Sequence, residues 1–455
     1  MKRATGTSEE KVGIRSIMRL AAPIFAANLA IVLSGTIDTV MAGRLSANDL
    51  AGVALGTAIA TWISISLAGI LQGISPIAGY AFGAKRWQEV GHSLAQCLWL
   101  ALLLAVPGLF LTLQTEVWVS LAGAGDEVAD IARRYLGFAA LALPAILFGR
   151  AFIAANAAVS RPGASMCVTL GIVALKAPCN HLFMERLELG GAGVGLSLAV
   201  LSWSALLAYV LIWKFDPYYR RMHLERWVGP KLKSMGALLR VGFPIGLSIG
   251  CEMTSYSLMA IFMARFGAVM LAAHQIVANL IWLYYIPPLA VGLSGTVLIS
   301  QNLGAKRPEE SRRAAKLVLG LALAAALALA LVTYLLRRPI LSLYSTEADV
   351  IRSGFAFITI ACFYHIADAL QCSAGCILRG YRITLMPMIV QTVCLCGLGL
   401  TIGAWLAGFF PWSTMRWGGV SFWYGAATGL TAAAALLVPY ALRTARRFAE
   451  KPRAA

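Results

Sequence analysis

The chain has 455 residues, of which 59% are hydrophobic and 13% charged. Soluble domains carry about 25% charged residues, so this composition excludes an ordinary soluble protein and points to one embedded in a bilayer. A net charge of +18 invites a nucleic-acid reading, which the placement of the cations removes.

Residues 1–16 read as a polar, basic cytoplasmic tail. They hold no short apolar core before a small-residue cleavage site, so no signal peptide is expected. A spanning helix needs about 20 apolar residues. Twelve such segments follow, at roughly 17–42, 49–82, 94–115, 132–158, 163–185, 191–213, 237–264, 270–303, 316–336, 353–378, 384–410 and 417–441. No run of ten-residue alternating segments suggests strands. The expected fold is an all-α polytopic membrane protein with two pseudo-symmetric six-helix lobes. These are an N-lobe at 17–213 and a C-lobe at 237–441, joined by a cytoplasmic linker at 214–236 and followed by a basic tail at 442–455.

The lobes are linked by an internal repeat with one offset, 221 residues. Arg19-Leu-Ala-Ala-Pro23-Ile24 matches Arg240-Val-Gly-Phe-Pro244-Ile245, and Leu50-Ala51 matches Leu271-Ala272. Gly83-Ala84-Lys85-Arg86 matches Gly304-Ala305-Lys306-Arg307 residue for residue. Six helices per copy give both copies the same orientation, a parallel repeat of the kind found in transporters. The GAKR tetrapeptides are expected to end helices two and eight, with Gly suited to the terminus and cations to its dipole. Prolines at 23, 76, 244, 287 and 288 fall inside helices and can bend them. In the linker, Tyr218, Tyr219 and Trp227 are expected at the headgroup level.

Sorting the cations by connection gives 27 Lys/Arg in both termini and the even-numbered connections and 9 in the odd-numbered ones. That bias places both termini and the basic loops on the cytoplasmic side of the cell (inner or plasma) membrane, where the charge also meets anionic lipid. The nine cysteines fall in apolar segments and read as small buried fillers rather than disulfides or metal ligands.

The remaining two cations, Arg150 and Lys176, lie within helices, as do three deep acids, Asp38, Glu252 and Asp368. A charge at a helix centre costs roughly 2.5–3.5 kcal/mol on insertion scales, so each marks a candidate site. In helix ten, Tyr364, Asp368 and Cys372 recur every four residues and share a face. In helix seven the same spacing aligns Ser248, Glu252 and Tyr256, and in helix eight Gln275 with Asn279. Two carboxylates with hydroxyl and amide oxygens suit Na+, at Glu252 and Asp368, or a proton-exchange pair. Met253, Tyr256, Trp282 and Tyr285 are candidate linings of a greasy cavity, with Trp62 beside them. Arg150 balances an acid or touches substrate or lipid headgroup.

Together these residues resemble the multidrug and toxic compound extrusion (MATE) family, in its NorM-type branch. The resemblance rests on Pro23, on Ile37-Asp38-Thr39-Val40-Met41-Ala42-Gly43, on Pro244 with Glu252, and on His274-Gln275-Ile276 with Asn279. Asp368 followed by Gly375-Cys-Ile-Leu-Arg379-Gly380-Tyr381 completes it. The resemblance implies a V-shaped central cavity between the lobes and export of organic cations and other lipophilic toxic compounds, driven by inward Na+ or H+. It implies a cation site at Glu252, Asp368 and Tyr364, and a coupling role for Asp38. No other cofactor is implied, and a monomer is expected. The chain departs from the family in helix five, where a pair of Asn, or Asn and Asp, is usual and Lys176 and Asn180 stand around Pro178. The expectation is that the Lys176 ammonium takes the place of a cation and pairs with Asp38. Two other readings stand beside the antiporter. One is a flippase for a lipid-linked or anionic amphiphile, which would use Lys176 and Arg150. The other is an intramembrane enzyme, for which no HExxH, GxSxG or nucleotide loop is found.

Overall fold

The computed structural model describes residues 11–222, 228–410, 413 and 417–450. Among them twelve helices are long and apolar enough to cross a membrane. In chain order they are α1 Ile14–Leu45, α2 Ala47–Gly83, α3 Trp87–Leu113, α4 Asp126–Ala158, α5 Pro162–Arg186, α6 Gly190–Phe215, α7 Leu232–Ala264, α8 Ala268–Gly304, α9 Pro308–Leu335, α10 Ala348–Gly380, α11 Leu385–Leu406 and α12 Val420–Glu450. Helix is the form in which an apolar segment satisfies its own backbone away from water.

Regular α-helix is interrupted in α2 and in α11. In α2 the regular helix stops at Leu71 and resumes at Ile74. Pro76 has no N–H for the carbonyl four residues back, at Gln72, and its ring crowds that oxygen, so the break falls there. In α11 the turns from Val393 to Gly399 are a π-helix, whose i→i+5 bonding widens the turn.

The repeat reaches into the backbone of the turns. Lys85, Ser160, Lys306 and Arg382 all adopt φ near +60°. After each, the next amide reaches back to the final helical turn: Arg86 to Ala81, Arg161 to Asn156, Arg307 to Asn302 and Ile383 to Leu378, at 2.8–2.9 Å. The GAKR expectation is corrected in one respect. Gly83 and Gly304 are the last helical residues, and the left-handed position falls on lysine. That costs about 1–2 kcal/mol for a residue with a Cβ, offset by the carbonyls the turn satisfies.

The chain forms two compact units, Ala26–Gly250 and Met1–Phe25 with Cys251–Ala455. Helices α1 and α7 each change unit along their length. In the unit Ala26–Gly250, α4 is the most enclosed helix, with 61% of its apolar window buried. The first part of α7 packs against α2 with almost no separation. A Cβ on Gly242 would sit 1.8 Å from the Ile70 carbonyl oxygen, so only glycine fits. Tyr219 corrects an expectation here. It is 1% exposed, stacked on Trp213 at 4.5 Å, and belongs to the core rather than the headgroup layer. Tyr218 donates its hydroxyl to the Val159 carbonyl, while Trp227 lies outside the described residues.

In the other unit α10 is central, with 56% of its window buried, and packs on α8, α9 and α12. Its core holds Phe357, Phe422 and Trp423, each 1% exposed or less. The start of α1 is part of this unit. Ile17 is fully buried, and the Val12 amide donates to Glu310 Oε2 at 2.6 Å.

Candidate functional site

Three helices of the unit containing Cys251–Ala455 converge on Asp368. It lies midway along α10, in the enclosed core, and is 2% exposed. Its neighbours on the same face, Tyr364 and Cys372, are 2% and 8% exposed. The Tyr364 hydroxyl shares a hydrogen bond with that of Tyr256 on α7. Cys372 donates through Sγ to the Tyr285 hydroxyl on α8 at 3.5 Å. Glu252, one turn before Tyr256 and half-buried, lies within coulombic reach of Asp368.

The two acids are served differently. Glu252 accepts through Oε2 from the Gln391 side-chain amide of α11 at 2.8 Å. Asp368 has Gln371 beside it, yet its Oδ1 is buried with no hydrogen-bond partner among the described residues. A buried acceptor left unmade costs about 1–3 kcal/mol, more for a charged group. Such an oxygen, beside a second carboxylate and two phenol hydroxyls, is a place for a proton or a small hard cation.

The unit Ala26–Gly250 holds the opposite arrangement. Lys176 is 2% exposed, and its Nζ lies 3.2 Å from Asp38 Oδ2. Asn180, fully buried, donates its amide to Asp38 Oδ1 at 2.7 Å. Both oxygens of this carboxylate are therefore taken, one by an ammonium and one by an amide. The two α5 residues are four apart and so reach the same face of α1.

The remaining predicted residues divide. Trp282 and Tyr285 stack at 6.0 Å, with Trp282 42% exposed. Met253 and Tyr256 are partly buried, whereas Gln275 and Asn279 are exposed on α8 and do not join the Asp368 cluster. Arg150 is partly buried on α4 and ion-pairs with no acid among the described residues. The reading of all nine cysteines as buried fillers is corrected. Cys167 is exposed, and Cys179, Cys251 and Cys396 are partly buried. Gln391, Gln371 and His365 were not anticipated, and His274 only as part of the His274-Gln275-Ile276 motif. His365 is 1% exposed and His274 2%, both with ring nitrogens that have no partner among the described residues. The signal for Gln391 was a lone amide in the apolar run MPMIVQTVCLCGLGL.

Comparison with known proteins bears on the family and the fold. The family model MatE matches twice, over residues 23–182 and 244–405, so the two matches begin 221 residues apart. A protein named "Probable multidrug resistance protein NorM" from Aromatoleum aromaticum is 33% identical over 430 residues, covering 93% of both chains. "Multidrug resistance protein PmpM" of Pseudomonas aeruginosa is 32% identical over 442 residues, covering 96% of this chain and 92% of its own. The crystal structure of the eukaryotic MATE transporter AtDTX14 superposes with a TM-score of 0.85, over 96% of this chain and 98% of that one, at 19% identity.

Proposed function

The chain belongs to the MATE family of membrane transporters, in its NorM-type branch, and from that premise we propose that it is a cation-coupled multidrug antiporter. It exports lipophilic organic cations across the inner membrane, with both termini cytoplasmic, in exchange for Na+ or H+. The coupling ion is taken at Asp368, Glu252 and Tyr364. The observation that carries this reading is the contrast between the two deep aspartates. Asp38 has both oxygens held by its own unit, whereas Asp368 keeps a buried oxygen unmet. An ion bound at Asp368 supplies the missing partner; an arriving cationic substrate competes for the same negative charge and releases it. The Asp38–Lys176 pair is closed to ions and serves as a fixed strut between α1 and α5.

The flippase reading is weaker on this geometry. Lys176 is already neutralised by Asp38, and of the two cations that reading would use only Arg150 is left without an ion pair among the described residues. Proteoliposomes loaded with an ethidium-like dye test the proposal. Export under an imposed Na+ or H+ gradient is expected. No export under either gradient, across a panel of cationic dyes, sinks it.

A further inference from the structure

Two half-buried thiols meet beside the Asp368 cluster without belonging to it. Cys251, on α7, immediately precedes Glu252. Cys396 lies in the π-helical turns of α11, five residues after Gln391. In a regular α-helix residues five apart diverge, but i→i+5 spacing brings them back to one side. Gln391 and Cys396 accordingly both reach α7. Gln391 binds Glu252, and Cys396 Sγ lies 3.5 Å from the Cys251 carbonyl oxygen and 2.9 Å from Ser255 Oγ. Ser255 also donates its hydroxyl to that same carbonyl at 3.0 Å, so thiol, hydroxyl and carbonyl form one cluster between α7 and α11. The Cys251 side chain is near enough to act electrostatically on the Cys396 thiol. Both residues are partly exposed, unlike the other close pair, Cys372 and Cys376, which are 8% and 1% exposed.

Two reachable thiols on neighbouring residues of different helices, one within 3.5 Å of the other's backbone, are suited to a reagent that bonds two sulfurs through one atom. We propose that Cys251 and Cys396 form a dithiol modification site for monosubstituted trivalent arsenicals. An arsenical R–As=O forms two As–S bonds, one to each sulfur. The two thiol protons leave with the arsenic-bound oxygen as one water, and arsenic stays trivalent, so no oxidant is needed. The ring ties α7 to α11 on either side of the Glu252–Gln391 hydrogen bond. It fixes the turn of α7 that carries Glu252, next to the point where α7 passes from one unit to the other at Gly250–Cys251. Export then stops because that turn cannot move; this last step rests on the antiporter reading, whereas the modification does not.

The test is intact-mass analysis of the full chain in detergent after one equivalent of phenylarsine oxide. One arsenic bridge per chain is expected, stable to a monothiol and removed by 2,3-dimercaptopropanol. The second As–S bond is intramolecular, so Cys251→Ser or Cys396→Ser should each weaken retention by about a hundredfold. The Cys372→Ser/Cys376→Ser double variant should keep it. In proteoliposomes, dye export should fall with the bridge and return with the dithiol. Retention in either single variant, or its loss in the Cys372/Cys376 double variant, overturns the site. A bridge that forms as described in a protein that transports no dye under any gradient leaves the site standing and counts against the antiporter alone.

Discussion

Replacing Lys176 by Asn removes an ammonium 3.2 Å from a carboxylate that is only 14% exposed. At that separation two unit charges attract by about 5 kcal/mol with an effective dielectric of roughly 20. Part of this offsets the cost of holding both charges away from water, and breaking such a buried pair from one side costs about 3–5 kcal/mol. Asn180 still donates to Oδ1, so the lower end, about 3 kcal/mol, is expected for Lys176→Asn. Asp38→Asn should cost a similar amount by stranding the ammonium. The double variant, two neutral amides facing each other, should cost little more than either single variant. The assay is a double-mutant cycle on unfolding of the purified protein, where a coupling of about 2–3 kcal/mol is expected for residues in direct contact. Additive single effects would refute the pairing as an energetic unit. Lys176→Asn also leaves Asp38 bare among amides, so the variant should gain a dependence of transport on Asp38 that the parent lacks. Unchanged dependence would show that the pair is no lock.

Three further outcomes follow from the geometry. Gly242→Ala sets a methyl 1.8 Å from the Ile70 carbonyl oxygen and should destabilise by about 3 kcal/mol through forced separation of α2 and α7. Gly236→Ala, with nothing within 4 Å of its Cβ, should be neutral or stabilising by roughly 0.5–1 kcal/mol; equal melting temperatures for the two variants would deny the close approach. Gln391→Leu removes the donor to Glu252, a bond to a charged group worth about 1.5–3 kcal/mol. The half-saturating concentration of the driving ion should therefore shift at least about tenfold, and an unshifted ion titration of dye export would contradict a role for Gln391. Tyr364→Phe deletes the hydroxyl shared with Tyr256 while keeping the ring against Trp423 at 5.7 Å. It should lower ion affinity with little change in melting temperature; a large drop in stability with intact coupling would make the pair structural only.

Much of the architecture is legible because a bilayer leaves few choices. Apolar length alone yields twelve spans, and the 221-residue offset pairs Pro23 with Pro244 and GAKR with GAKR. Deep acids stand out for the same reason: Asp368 is costly enough in an apolar helix to require an explanation. The facing of Lys176, Asn180 and Asp38 follows from four-residue spacing plus the need to neutralise a buried charge. What escaped is what a 3.6-residue period cannot express. The π-helical turns of Val393–Gly399 rotate Gln391 and Cys396 onto α7, and no periodic reading of CLCGLG places them there. The left-handed lysines at 85 and 306 escaped because glycine, the residue suited to that backbone, stands two positions earlier. Tyr219 escaped because an aromatic in a basic linker looks like an interface anchor until Trp213 is seen to stack on it. The exchange of α1 and α7 between units depends on contacts distant in sequence, and neither proline announces which side of it belongs where.

The most direct measurement is ion-driven dye export by Asp368→Asn and Asp38→Asn proteins in the same proteoliposomes, with Na+ and H+ gradients imposed separately. The account predicts that Asp368→Asn abolishes gradient-driven export under the ion that drives the parent, while Asp38→Asn, if folded, retains it. Export by Asp368→Asn at the parent's rate, or its loss in a folded Asp38→Asn protein alone, would contradict the assignment of coupling to the C-lobe.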